Sequence, residues 1–494
     1  VSRCTTLFIV TFILMLAVGC GLLYTVGAFA RFLSIFYVTG YGIMAIGYHA
    51  MALVFAGLNR RRVEKMKTSS GDIESSMCIE NSRFPLTTLH VVGYREDPEY
   101  FKKCLKSTND LTYTNLNAII VVIDGNDEDD EEMAEIAMET WPNAIRINLT
   151  SIPSRGSYDA SLSQVVQSSS RAVYVVSQPH MGKREVLYTA FKISQKLGAE
   201  YFMNTDSDTL LDPQCVSELV RMTDADQTIG AVAGELTIFN ATNWLSVLAS
   251  SRYFMAFNVE RAAQSYHGAV GCISGPMGLY HMGSAATIID AWADQTFMGV
   301  KCSFGDDRHL TNKILSLGKN VVYTHLATAS TETPQSYCRF VAQQTRWAKS
   351  YWREMVLQLQ WAHHSWYTVM EIVYGLVFPF LVLVTLVSVV FTRDWWSLAA
   401  IGIVTAVIPV IKTAVVFFLF KKDARLWTTV AYPILYFTTL LPVKIFALFT
   451  INDNRWGTSS RKRVVNTIAP VFPVAAWVLV LIAGLVRHGF FKNE

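Results

Sequence analysis

Long apolar runs at both ends of this 494-residue chain, separated by a polar middle, limit what it can fold into more than any motif does. Residues 7–29 and 33–58 are each long enough to cross a hydrocarbon core of ~30 Å. Arg31 stands between them in a turn too short for anything but a hairpin. Residues 367–391 and 395–420 form a second such pair, and residues 464–488 are a fifth candidate. Arg60, Arg61, Arg62, Lys65 and Lys67 follow the first pair, and the positive-inside rule puts them, the amino terminus and the polar middle in the cytoplasm. Lys421, Lys422 and Arg425, then Arg461, Lys462 and Arg463, ask for the same side. A span over residues 427–449 would strand one of these clusters outside. That stretch, with Pro433, Pro442 and Lys444, therefore reads as interfacial or re-entrant, with residues 427–463 staying on the cytoplasmic face. Lys412, inside the fourth run, is expected to face protein or water rather than lipid.

The composition agrees with a membrane protein: 51% of residues are hydrophobic and 16% charged. A formal charge of +3, with no basic tract interleaved with aromatics, excludes nucleic acid as a partner. The eight cysteines show no Cys-x-x-Cys spacing, so neither a zinc site nor a disulfide scaffold is implied.

Between residues 68 and 366 the pattern changes. Short apolar runs at 86–92, 118–123, 172–176, 201–204, 230–238 and 320–324 read as strands. Residues 133–141, 183–197, 212–223 and 306–317 read as the helices between them. Such alternation predicts an α/β domain with a mostly parallel sheet and helices on both faces. Two stretches that mix aromatic and basic residues, near 243–263 and 343–361, read as helices lying either in the core or in the membrane interface.

Four polar constellations fall in this region. Asp124-Gly125-Asn126 follows a strand, where Asp-Gly is a turn dipeptide or a site for a nucleobase or ribose. The acidic run 127–132 reads as a solvated helix start. Asp206 and Asp208, spaced i, i+2 after residues 201–204, would point the same way on an extended chain. There they suit either a surface turn or a hard divalent cation shared with substrate phosphates. Gly305-Asp306-Asp307-Arg308 precedes a helix; one Asp could cap it and the other could serve as a general base. Gln343-x-x-Arg346-Trp347 puts an amide, a guanidinium and a ring on one helix face. Lys183, in His180-Met181-Gly182-Lys183-Arg184-Glu185, reads equally as a phosphate ligand and as an exposed helix-start lysine.

The four in this order, flanked by membrane runs, resemble the processive membrane-embedded family 2 glycosyltransferases: the cellulose, chitin and hyaluronan synthases. Gln343-Gln344-Thr345-Arg346-Trp347-Ala348-Lys349-Ser350-Tyr351, Ser274-Gly275-Pro276, Leu441-Pro442-x-Lys444 and Trp456-Gly457-Thr458-Ser459 narrow the resemblance to the hyaluronan synthases. The remainder is most similar to the chlorovirus branch, which implies the plasma membrane of a host. The resemblance implies a GT-A-like domain fused to an α-helical transmembrane channel. It implies UDP-GlcNAc and UDP-glucuronate as donors, hyaluronan as product, Mn²⁺ or Mg²⁺ as cofactor, and no obligatory protein partner. It gives Asp307 as the catalytic base, and Asp208 with Asp206 as metal ligands. Asp124, Lys183, Gln343 and Arg346 would bind UDP, and Trp347 and Ser274 the acceptor. Trp456 and Thr458 would lie on a gating or priming loop. Cys302 would line the donor pocket, or be a buried structural thiol. Arg252 and Arg261 are candidates to meet the glucuronate carboxylate. The family carries one more apolar span after residue 486, so a truncated chain is expected. A chitin or oligochitin synthase remains the alternative, and a nucleotide-binding transporter or receptor a distant one.

Overall fold

The computed structural model describes residues 30–70, 84–153, 171–362, 365–391, 395–421, 423–454 and 468–490, with four single positions between 154 and 170. The expected span at 7–29 and the Trp456/Thr458 loop lie outside the described residues. The chain divides into two compact units. One comprises residues 1–54, 335–453 and 467–494; the other comprises 55–334 and 454–466. Helix α1 (Ala30–Ser70) contributes to both.

The second unit is built on one nine-stranded sheet. Its strands, with a short separate hairpin, are β1 (Thr87–Gly93), β2 (Leu116–Asp124), β3 (Ile145–Asn148), β4 (Ala172–Gln178), β5 (Tyr201–Asp206), β6 (Leu210–Leu211), β7 (Ile229–Ile238), β8 (Gly278–His281), β9 and β10 (Thr296–Phe297 and Val300–Lys301, the hairpin) and β11 (Asn320–Thr331). The order is β3-β4-β2-β1-β5-β8-β7-β11-β6. Pairing is parallel from β3 to β5 and between β7 and β11. β8 runs antiparallel to both its neighbours and joins the two parallel blocks. Central strands buried on both faces must be apolar throughout: in β2, Ala118 to Ile123 are all buried.

Helices α2 (Pro98–Asn109), α3 (Glu131–Thr140), α4 (Lys183–Lys196), α5 (Cys215–Ala225), α6 (Trp244–Met255) and α7 (Asp306–Ser316) belong to this unit. α2 is announced by Asp97, whose carboxylate accepts from the backbone N–H groups of Glu99 and Tyr100, and by Pro98 in the first turn. α6 buries Leu245, Leu248, Phe254 and Met255 and leaves Trp244 exposed. It continues through a π-helical turn, Ala256–Arg261.

The other unit is helical: α8 (Tyr337–Gln358), α9 (Trp366–Phe391), α10 (Trp395–Leu419), α11 (Leu441–Phe449) and α12 (Val471–Phe490). Among the described residues, Phe36–Thr68, Trp366–Phe391, Trp395–Leu419 and Ala424–Phe449 are long and apolar enough to cross a membrane. Val38, Tyr41, Val382, Leu386, Val389, Ile401 and Leu441 pack into one core. Lys412 is half-buried, with its ammonium 3.4 Å from His49 Nδ1. The prolines of 424–449 do not interrupt the backbone. Pro433 follows the 3₁₀ stretch Ala424–Ala431 and Pro442 follows the π turn Tyr436–Leu440; these irregular turns accommodate the missing N–H groups, and the segment stays helical from Ala424 to Phe449.

Candidate active site

The site lies in the sheet-bearing unit, at the carboxyl ends of its parallel strands, where open α/β sheets bind ligands. Asp124 closes β2 and is 3% exposed. Its Oδ1 accepts from the backbone N–H groups of Met181 (2.9 Å) and Gly182 (3.1 Å); its Oδ2 accepts from Gly182 N (2.9 Å) and lies 2.9 Å from His180 Nδ1. The carboxylate is thus saturated by the turn that opens α4, a helix N-terminus being a natural anion site. Gly182 sits there at φ +99°, a conformation that a side chain would strain. The bond from Asp124 raises the His180 pKa, and the imidazole stacks on Tyr94 at 4.2 Å.

Lys183, the first residue of α4, points its ammonium at Asp206 Oδ1, 2.5 Å away. Burial works against the charged ammonium, yet Asp206, Asp306 and Asp307 outweigh it and hold the Lys183 pKa above its usual value. Gly275 passes directly over this pair. A Cβ there would lie 2.8 Å from Lys183 Nζ and 3.5 Å from both Asp206 oxygens. Burial raises the Asp206 pKa; Lys183 opposes this and Asp208 adds to it.

Asp206 and Asp208 are not brought together by strand alternation. β5 runs through Asp206, and the chain then turns, with Thr209 N–H donating to Asp206 O at 3.2 Å. The turn leaves Asp208 beside the hydroxyls of Thr209 (3.2 Å) and Thr331 (3.4 Å).

The position before α7 is Gly305, at φ 83°, with no side-chain cap, so neither aspartate is spent on capping. Asp306 is buried, and its carbonyl accepts from the Trp292 indole at 2.8 Å. Trp292 in turn is held by the buried Arg184, which donates to its carbonyl at 2.6 Å and to Gln295 Oε1 at 2.8 Å. Asp307 Oδ1 accepts the Arg308 N–H at 2.7 Å, and the Cys272 thiol lies 3.7 Å from Oδ2. Burial and then Asp306 push the Asp307 pKa up, against Arg308 and Lys183. Burial and Asp307 push the Cys272 thiol up to about 11. Leu187, Asn204, Gly275, Tyr280, Trp292, Asp306, Asp307 and Leu310 line a small pocket beneath the two aspartates.

Other expected residues fall differently. Cys302 is buried, its N–H bonded to Gln295 O at 3.0 Å; the thiol in reach of Asp307 is Cys272, which sequence reading passed over. Ser274 Oγ accepts from Arg261 at 2.9 Å. Arg261 also donates to Cys272 O at 3.0 Å and lies over the Phe257 ring, so it holds the 272–274 loop. Arg252 is paired with Glu260 at 2.8 Å. Asp130, in the run read as a solvated helix start, is instead buried and bonded to Arg95 at 2.7 Å. Gln343, Arg346 and Trp347 fall at i, i+3 and i+4 on α8 of the helical unit, with Trp347 40% exposed. Trp352, farther along α8, donates to Lys444 O at 3.0 Å.

The family described as "Glycosyltransferase like family 2" matches residues 85–350, more than half of the chain. Hyaluronan synthase 3 of Mus musculus is 37% identical over 463 residues, covering 91% of this chain and 82% of its own. Hyaluronan synthase 3 of Homo sapiens is 37% identical over 467 residues, with the same coverage. Hyaluronan synthase 2 of Homo sapiens is 36% identical over 460 residues, covering 90% and 81%. The chain belongs to the hyaluronan synthases. As a member of the hyaluronan synthases it is a glycosyltransferase that takes nucleotide-sugar donors, makes a polysaccharide, and carries helices apolar enough for a membrane.

Proposed function

We propose that this enzyme transfers GlcNAc and glucuronate alternately from UDP-GlcNAc and UDP-glucuronate to a growing hyaluronan chain, with inversion, and extrudes the polymer through its own membrane helices. The observation that supports it most is the Lys183–Asp206 pair at the end of β5 beneath Gly275, which shares a pocket lining with Asp306 and Asp307, in a chain of this family. Asp307 is the proposed base. Its raised pKa suits a carboxylate that must accept a proton from a sugar hydroxyl. Lys183 meets diphosphate charge, and Asp124 orders the turn against which the uridine is placed. Gln343 and Arg346 are assigned to the diphosphate, Trp347 and Ser274 to the acceptor, and Trp456 and Thr458 to the priming loop, on the family resemblance.

Among the described residues no three His, Cys, Asp or Glu side chains form a metal cluster. Two carboxylates completed by substrate phosphates are a normal ligand set for Mg²⁺ or Mn²⁺, so the hard-oxygen donors Asp208 and Asp206 fit such an ion. When bound it would neutralise charge building on the leaving diphosphate. The basic cluster from Arg60 to Lys67 favours a cytoplasmic position for the catalytic unit.

The test is polymer synthesis by the purified chain in detergent with Mn²⁺ and radiolabelled UDP-GlcNAc, with and without UDP-glucuronate. A long product that needs both donors and is cut by hyaluronidase is the expected result. A chitinase-sensitive polymer from UDP-GlcNAc alone would overturn it in favour of chitin synthesis.

A further inference from the structure

A buried row of polar groups, none of which the mechanism above uses, runs from inside the sheet to the pocket under Asp306 and Asp307. Thr88, His90 and Ser194 are fully buried, and Asn204 is 7% exposed. The Thr88 hydroxyl donates to Ser194 Oγ at 2.7 Å. Ser194 therefore spends its own proton on His90 Nε2, 2.6 Å away. That leaves the imidazole proton on Nδ1, which donates to Asn204 Oδ1 at 2.9 Å. Burial lowers the His90 pKa to about 3, so the ring stays neutral and keeps this tautomer. Phe202 stacks on His90 at 5.2 Å and Tyr280 stacks on Phe202 at 5.3 Å, fixing the ring plane.

The row has one direction, and it ends in an amide whose oxygen is committed. The Asn204 NH₂ group has no hydrogen-bond partner among the described residues, and Asn204 lines the pocket with Gly275, Asp306 and Asp307. The amide nitrogen is not among the sealed polar atoms of the interior, so it opens on the pocket, where a ligand oxygen can take the hydrogen bond it otherwise gives to water. The ligand's polar atom must be an oxygen acceptor. The two carboxylates in the lining repel an anion, and Leu187, Leu310 and Trp292 supply apolar wall.

We propose that Asn204 is a donor-sugar binding residue, its NH₂ bonding an uncharged oxygen substituent of the sugar (a hydroxyl or an amide carbonyl), and that His90 is the positioning residue that aims it. This rests on the reading of the site as one for UDP-sugars. Asn204 is then a contact on the donor sugar itself, distinct from the base at the acceptor hydroxyl and the metal ligands at the diphosphate.

The test uses the full chain in detergent with Mn²⁺. Asn204→Asp keeps the oxygen that His90 holds but exchanges the NH₂ donor for a charged oxygen, so the uncharged Asn204→Ala is run beside it and must show the same loss. His90→Phe keeps the stack on Phe202 and removes the aim; His90→Gln restores an amide donor. Steady-state rates are measured with each UDP-sugar varied in turn, and affinities for UDP and UDP-GlcNAc by calorimetry. Asn204→Asp and His90→Phe are expected to lose about tenfold in kcat/KM, the worth of one well-made hydrogen bond to a substrate. Affinity for UDP alone is expected to stay unchanged, and His90→Gln to recover most of the loss. A penalty confined to UDP-GlcNAc would identify the amide carbonyl; a penalty on both donors would identify a hydroxyl they share. Asn204→Asp within twofold of wild type for both donors would overturn the proposal. If the wild type makes no polymer, the functional reading fails by itself. The inference is then decided by whether the gap in affinity between UDP-GlcNAc and UDP closes in Asn204→Asp.

Discussion

Asp307→Asn separates chemistry from stability in a way the structure makes quantitative. The amide is nearly isosteric and keeps an oxygen for the Arg308 N–H at 2.7 Å, so the local geometry should survive. Transfer loses its base, and the rate is expected to fall on the order of 10²–10⁴-fold, with UDP affinity retained. Stability should move the other way. Burial and Asp306 raise the Asp307 pKa, so the folded protein resists ionising a group that ionises freely near ~3.9 when unfolded. The cost is absent below that value, grows as pH rises through the folded pKa, and is complete above it. Removing the charge should therefore raise the melting temperature at neutral pH, and the gain should shrink as pH falls toward the unfolded value. Both are measured on detergent-purified protein, the rate by labelled polymer and the melt by intrinsic fluorescence in EDTA without nucleotide. A variant retaining more than a tenth of the wild-type rate would remove Asp307 as the base. A lower melting temperature at neutral pH would refute the electrostatic argument.

Gly125→Ala drives a Cβ into the Asp130 carboxylate and must displace the ion pair with Arg95; a loss of about 1–3 kcal/mol is expected in thermal melts. Asp124→Asn withdraws the charge that orders Met181 and Gly182, and the KM for both donors should rise about tenfold with kcat little changed. The His180 pKa is raised, so the stability it draws from Asp124 is whole below ~6.5 and is lost as pH climbs through the folded value. The melting difference between wild type and His180→Gln should accordingly narrow from pH 6 to pH 9. EDTA should abolish transfer and Mn²⁺ or Mg²⁺ restore it, whereas Asp208→Ala should not recover at any metal concentration; full activity in EDTA would remove Asp208 and Asp206 from that role.

The central strands were legible because burial on both faces leaves an unbroken apolar signature, as at Ala118 to Ile123. β3 was not, since Ile145, Arg146 and Asn148 are exposed and only Ile147 is buried. β8 is four residues beginning with glycine, too short to carry a period. α2 could have been found from Asp97-Pro98, a cap followed by a first-turn proline. In the site, Asp124, Asp206 and Asp307 announced themselves by standing at strand and helix ends. Asn204, His90, Arg184 and Cys272 did not, because each acts through a partner distant in the chain: His90 reaches Ser194 and Asn204, and Cys272 reaches Asp307. Pleat alternation does not relate Asp206 to Asp208; the turn that follows β5 does.

The antiparallel β8 also bears on assembly. The block from β3 to β5 is complete in sequence by Asp206 and can pair as soon as those residues are available. The block that supports α7 needs β11, which ends at Thr331. β8 must insert between the two before Asp307 comes into register with Asp206, and such long-range pairings form late because loop closure precedes the contacts that reward it. A chain stalled before this joining step would hold the Lys183–Asp206 pair without Asp307, the residue proposed as the base. On the proposed reading, such a half-made chain would keep the residues set to meet the diphosphate and lack the carboxylate set to take the acceptor's proton.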